Sequence, residues 1–168
     1  MMKTFSIIFT AILLSFSFVS CGLIGKRTAS YENKTLPEMS LVAVDGSEVR
    51  LSSLKGKKLF VNLWATWCPP CVAEMPSIQK LYAKTDRSQS EFVLISFDRN
   101  FETAKEWAKR KQLDIPVYAV SGELPSLFNV DGIPTTFIFD ETGKLVFKQT
   151  GSDDYSSNKF VQLLSSTP

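Results

Sequence analysis

The sequence predicts an α/β sandwich, a mixed central sheet flanked by helices, and three observations predict it. An almost unbroken apolar run, "KLFVNLWA" at residues 58–65, passes directly into helical spacing, with Val72, Met75, Ile78, Leu81 and Tyr82 recurring on one face. "EFVLISFD" followed by "ETAKEWAKRKQ" repeats that grammar of buried strand and amphipathic helix. "TTFIFDETGKLVFKQTG" then reads as two β-rich runs about a turn, a hairpin that closes the sheet with antiparallel strands.

In chain order, the folded part begins near Leu36. "SLVAVDGSEVRL" holds two short apolar runs about Asp45-Gly46, which predicts an N-terminal hairpin. The strand at 58–65 is continuous rather than alternating, as a strand covered on both faces must be. The helix after it begins at Pro69 and Pro70, residues tolerated in a first turn because the missing N–H would have had no partner there. In the second helix Ala104, Trp107 and Ala108 share a face. "IPVYAV" is a short third strand, and "ELPSLFNV" reads as a short helix before Asp131-Gly132. Gly143 supplies the left-handed residue of the closing hairpin. A last helix is expected from about Asp153 to Leu164, capped by Ser152 or Asp153. The chain has no internal repeats and no low-complexity tracts.

The 168 residues suit one domain with an appendage, and 44% hydrophobic with 21% charged residues is a globular balance. A formal charge of +2 with no clustered basic stripe is too weak to draw the chain onto nucleic acid. There is no histidine, which removes the usual neutral-pH general base and the commonest metal ligand.

Residues 1–21 read as a targeting segment: Met1-Met2-Lys3, then an uncharged stretch ending at Cys21. A cleaved secretory signal or an uncleaved anchor would look like this. "FVSC" further resembles a bacterial lipobox, with Phe18 where Leu is usual, and makes Cys21 a candidate lipidation site. Residues 22–35 are polar and aperiodic and read as a tether, with a reach of roughly 20 Å, leaving 36–168 as the domain. Each outcome ties the chain to an export route.

Of the three cysteines, a lipidated Cys21 leaves Cys68 and Cys71 to pair with each other or with a partner's thiol. Zinc would need more sulfur and nitrogen ligands than the chain holds, and haem attachment would need histidine at the place of Val72. Thiol and disulfide chemistry remains, with no metal and no cofactor beyond the cysteine pair. A purely structural bond across so short a loop would stabilise the fold weakly. Reactivity suits the position better. At a helix entrance Cys68 meets unpaired N–H groups and the positive end of the helix dipole, while Cys71 lies one turn inside. Lowering a thiol pKa from about 8.5 to about 7 raises the thiolate fraction at neutral pH from a few per cent to roughly half. Cys68 would then attack, reachable from solvent, and Cys71 would resolve the mixed disulfide.

"FVNLWATWCPPCVAEMP" together with "GIPTTFIFDETGKLV" resembles the TlpA/ResA-like thiol-disulfide oxidoreductases, the membrane-tethered extracytoplasmic branch of the thioredoxin superfamily, over residues 36–165. The resemblance implies a thioredoxin-like fold, a nucleophilic Cys68, a resolving Cys71 and Trp67 packing beside them. It implies that Pro134 follows a cis bond and faces the disulfide, so that Ile133 offers its backbone to a client peptide. Pro76 matches the helix-kinking proline. The interval from Asp98 to Pro134 leaves room for the helix-strand insertion of this branch. Phe101 and Trp107 are expected in the core.

Two positions depart from thioredoxin itself. Asn62 stands where thioredoxin has a buried acid, and Leu94 where that acid has its lysine. Asn62 cannot take a proton and is either a structural amide or part of the site. The proton of Cys71 must go to water or to another carboxylate, and Glu74 lies one turn on along the same helical face. In ResA-like relatives a glutamate there tunes the sulfurs; alternatively Glu74 is an acid favoured early in a helix.

The expected function is reduction of protein disulfides outside the cytoplasm, in cytochrome c maturation or thiol repair. The resemblance implies protein disulfide or dithiol clients, a membrane thiol-disulfide carrier as electron donor, and no nucleic acid. A peroxiredoxin-like peroxidase is the enzymatic alternative, but such enzymes carry Thr or Ser where this chain has Ala65. A non-catalytic client-binding module is the other, and two retained cysteines argue against it.

Overall fold

The computed structural model describes residues 34–165. Cys21, the targeting segment and most of the tether lie outside the described residues. Lys34 and Thr35 already touch the fold: Thr35 bridges Lys144, and Leu145 N–H donates to the Lys34 carbonyl at 2.9 Å.

The strands are β1 (Ser40–Ala43), β2 (Glu48–Arg50), β3 (Lys58–Trp64), β4 (Ser90–Ser96), β5 (Val117–Ser121), β6 (Thr135–Phe139) and β7 (Leu145–Thr150). They form one seven-stranded sheet in the order β2-β1-β5-β4-β3-β6-β7. The β3-β4 and β4-β5 pairs are parallel and the others antiparallel, so the expected mixed sheet is present. The helices are α1 (Pro69–Lys84), α2 (Phe101–Arg110) and α3 (Asn158–Leu164).

Side chains alternate across the central strands and split the core in two. Phe60, Trp64, Phe92, Leu94 and Ile138 point to one face, where Met75, Ile78 and Leu81 of α1, Ala104 and Ala108 of α2, and Phe160 and Leu164 of α3 cover them. Leu59, Val61, Leu63, Val93 and Phe137 point to the other. That second face is covered by Leu36, Met39, the short 3-10 turn Leu51–Leu54 and Phe128. Burial on both sides explains why β3 and β4 read as continuous apolar runs.

Two expected helices are corrected. "ELPSLFNV" forms only a single turn, in which the Pro125 carbonyl accepts from Phe128 N–H and Asn129 N–H at 2.9 and 3.1 Å. Phe128 is fully buried against Phe137 at 5.1 Å between ring centroids, and that packing outweighs the weak helical preference of so short a stretch. The last helix starts at Asn158, not near Asp153. The backbone N–H groups of Asp153 and Tyr155 donate instead to Glu74 and Ser77 on α1, and Asp154 Oδ1 binds Ser156 in a local turn.

The closing hairpin turns at Gly143, whose φ is +85°. Its carbonyl accepts from Leu36 N–H at 2.7 Å, and an added Cβ would lie 3.4 Å from both Leu36 Cβ and Lys55 Cε. Gly143→Ala is therefore expected to destabilise the domain by about 1–2 kcal/mol, seen as a lower urea midpoint at unchanged slope.

Candidate active site

The β3-α1 junction sets the cysteines. Past Trp64 the chain is pinned from β4: Phe97 N–H donates to the Trp64 carbonyl at 2.8 Å. Asp98 clips Thr66, two residues on, with Oδ1 accepting from Thr66 Oγ1 at 2.6 Å and Oδ2 from Thr66 N–H at 3.0 Å. Ser96 Oγ donates to the same Oδ2 at 2.8 Å. Cys68 then becomes the N-cap of α1 in extended conformation. Pro69 and Pro70 have no N–H, so Cys71 N–H is the first donor of the helix, and it points at Cys68 Sγ at 3.3 Å. An anionic sulfur at Cys68 would gain both this hydrogen bond and the helix dipole. The two sulfurs are bonded, 1.99 Å apart.

The Ile133-Pro134 bond is cis, and Cys68 Sγ lies 3.7 Å from the Ile133 carbonyl oxygen. Thr135 Oγ1 donates to the Gly132 carbonyl at 2.7 Å, and Gly151 N–H to the Pro134 carbonyl at 2.8 Å. The segment that faces the disulfide is thus tied at both sides. Cys68 departs from expectation at only 4% exposed; Cys71, one turn inside, is fully buried, while Trp67 between β3 and the pair is 65% exposed. Trp67 therefore stands out from the surface next to Cys68 instead of covering it. It borders a cleft of about 590 Å³ with Phe97, Arg99 and Thr103.

Glu74 is not an acid of the helix surface. It is 3% exposed, facing the sheet one turn below Cys71. Asn62 Nδ2 donates to its Oε1 at 2.8 Å and Asp153 N–H to its Oε2 at 3.3 Å. Burial pushes the carboxyl up to about 7; the hydrogen bonds from Asn62 and Asp153 pull the other way and do not offset it. Asn62 lies on β3 opposite Thr136 of β6 and Leu94 of β4, and its Nδ2 also donates to Thr136 Oγ1 at 2.9 Å. Tyr155 O–H donates to the same Thr136 Oγ1 at 2.7 Å. Burial pushes the Tyr155 phenol up, so it stays protonated.

Sequence reasoning named Asn62 and Glu74 but missed the residues that hold them, Thr136 and Tyr155, and the Asp98-Thr66 clip. Only an acid two residues past the end of β4 hinted at the clip. Phe101 and Trp107 are half-buried against the core; the Trp107 ring packs tilted against buried Trp64, 5.0 Å between centroids, and lines an apolar groove of about 440 Å³ between α1 and α2. Pro76 sits on the exposed side of α1, which continues through it. Among the described residues no His, Cys, Asp and Glu side chains gather as a metal site requires, and no helix is long and apolar enough to cross a membrane.

Residues 31–164 match the family pattern described as Redoxin. The thiol-disulfide oxidoreductase ResA of Bacillus cereus is 30% identical over 160 residues, covering 89% of this chain and 91% of that protein. ResA of Oceanobacillus iheyensis is 34% identical over 123 residues, covering 73% and 62%. The crystal structure of a thiol:disulfide interchange protein of the thioredoxin family from Chlorobium tepidum superimposes with a TM-score of 0.68 at 31% identity, covering 78% of this chain and 95% of that one.

Proposed function

The chain belongs to the Redoxin family and, within the thioredoxin superfamily, to the ResA-like thiol-disulfide oxidoreductases, and from that premise we propose that it reduces protein disulfides outside the cytoplasm. The observation that carries this reading is the position of Cys68. It caps α1 with its sulfur facing the Cys71 N–H and lies beside the carbonyl that precedes a cis proline.

In the reduced enzyme the Cys68 thiolate attacks one sulfur of a client disulfide. The client S–S bond breaks, one client thiolate leaves, and a mixed disulfide forms. Cys71 then gives its proton to Glu74 and attacks Cys68 Sγ, releasing the second client thiolate. Two electrons have passed to the client, and the Cys68–Cys71 disulfide remains. A membrane thiol-disulfide carrier would return the electrons. The Ile133 backbone offers strand-like pairing to an extended client segment at the mixed-disulfide stage.

Clients with two exposed cysteines fit this cycle, such as apocytochromes c before haem attachment or thiols oxidised in error. The N-terminal segment with its lipidated Cys21 would hold the domain at the membrane surface, within reach of both carrier and client. Cys71→Ser stops the cycle after the first step, so expression of that variant in intact cells should accumulate adducts that release on reduction. Their identification by mass spectrometry names the clients. Adducts confined to cytoplasmic proteins would refute the location, and none at all would refute the reductive cycle.

A further inference from the structure

We propose that Asn62 is a positioning residue whose side-chain amide turns end for end as Glu74 gains and loses the Cys71 proton, with the Thr136 hydroxyl accepting in one orientation and donating in the other. The inference rests on Glu74 as the proton acceptor and adds what that role requires of its surroundings.

The argument begins with the donors. Both carboxyl oxygens of Glu74 face N–H groups, Oε1 the Asn62 amide and Oε2 the Asp153 backbone. This arrangement suits an ionised carboxylate, which only accepts. A protonated Glu74 carries an O–H, and on either oxygen it would meet a donor. The Asp153 N–H cannot be reversed. The Asn62 amide can, because a half-turn about its last side-chain bond exchanges oxygen and nitrogen with almost no change of shape.

After that half-turn Oδ1 accepts from the Glu74 O–H. Thr136 rotates its own hydroxyl proton towards the same Oδ1 while its oxygen keeps the bond from Tyr155 O–H, so Tyr155 serves as a fixed donor in both states. Among the described residues Asn62 Oδ1 is buried with no hydrogen-bond partner, so no contact of its own holds it in its present orientation. A buried carbonyl without a partner costs less than a buried N–H without one, which favours the ionised orientation at rest and helps Glu74 give its proton back. The titratable groups around Glu74 are Cys71 on α1 and Asp153 and Tyr155 before α3; β3 and β6 contribute the uncharged Asn62 and Thr136.

Nuclear magnetic resonance of the reduced protein between about pH 5 and about pH 9 brackets the Glu74 titration near 7 and tests this. The Asn62 Nδ2 protons should show contacts to Glu74 and Thr136 at high pH and lose them together as the Glu74 carboxyl carbon reports protonation. Thr136→Val leaves an Nδ2 proton unmet in the ionised orientation and should raise the Glu74 titration by about one pH unit, tenfold in proton affinity. Thr136→Ser, which keeps the hydroxyl, should restore it. A Glu74 that titrates while the Nδ2 contacts persist overturns the amide turn alone. Equal shifts in the valine and serine variants also overturn it, because packing would then explain both. A Glu74 that does not titrate in this range overturns the proton-acceptor reading itself, and the amide turn with it.

Discussion

Cys68→Ser is expected to bring protein-disulfide reduction down to the uncatalysed background, a loss of roughly three orders of magnitude or more. A serine hydroxyl at the α1 N-cap would still accept from the Cys71 N–H, so the junction should keep its shape. It cannot ionise near neutral pH or form a bond to a client sulfur that a second thiol could resolve. Cys71, fully buried below it, cannot take over the attack. Cys71→Ser should behave differently, with one rapid round of adduct formation and no turnover. Insulin reduction read by turbidity, with single-turnover trapping beside it, separates the two. Substantial turnover by Cys68→Ser would remove position 68 from the role of nucleophile.

The second large effect concerns stability and is set by Glu74. Its carboxyl is pushed up to about 7 in the folded protein from the ordinary 4.5. Between those values the folded state holds more protons than the unfolded state, so stability must fall as pH rises. The favourable contribution is fully present below about 4.5, is lost through about 7, and the loss then levels off. Its size is about 3 kcal/mol, a large fraction of the stability of an ordinary domain. Glu74→Gln removes the charge that has to be buried, so the variant should be more stable than the parent by about 1–3 kcal/mol at pH 8 and nearly equal to it at pH 4. Urea unfolding at both values measures this. The same substitution takes away the acceptor for the Cys71 proton, so release of the client should slow while the first attack proceeds. A variant that keeps the parent's loss of stability between those pH values would show that other groups carry it.

Stability and catalysis thus pull in opposite directions at one residue. A carboxyl that titrates near neutral pH suits exchange with a buried thiol, and the fold carries the cost of burying it.

Periodicity and spacing made much of this legible. The apolar runs of β3 and β4, the helical faces of α1 and α2, both hairpins and the cysteine pair at a helix entrance each follow from residues close together in the chain. "ELPSLFNV" and the start of α3 failed for a common reason. Phe128 is drawn into the second core, and the N–H groups of Asp153 and Tyr155 are taken by α1, so distant partners overrode local preference. The near-complete burial of Cys68 likewise depends on Ile133, far along the chain.

Read alone, the residues assign the chemistry, because two thiols one helical turn apart at the end of a buried strand suit little besides electron exchange in a chain without histidine. They could not reveal the company that Glu74 keeps. Asn62, Thr136 and Tyr155 meet only because β6 pairs antiparallel to β3 and the segment before α3 folds back over α1. Proton affinity depends on burial and on donors within a few ångströms, and such distances come from sheet register and packing, which have no counterpart in local sequence spacing.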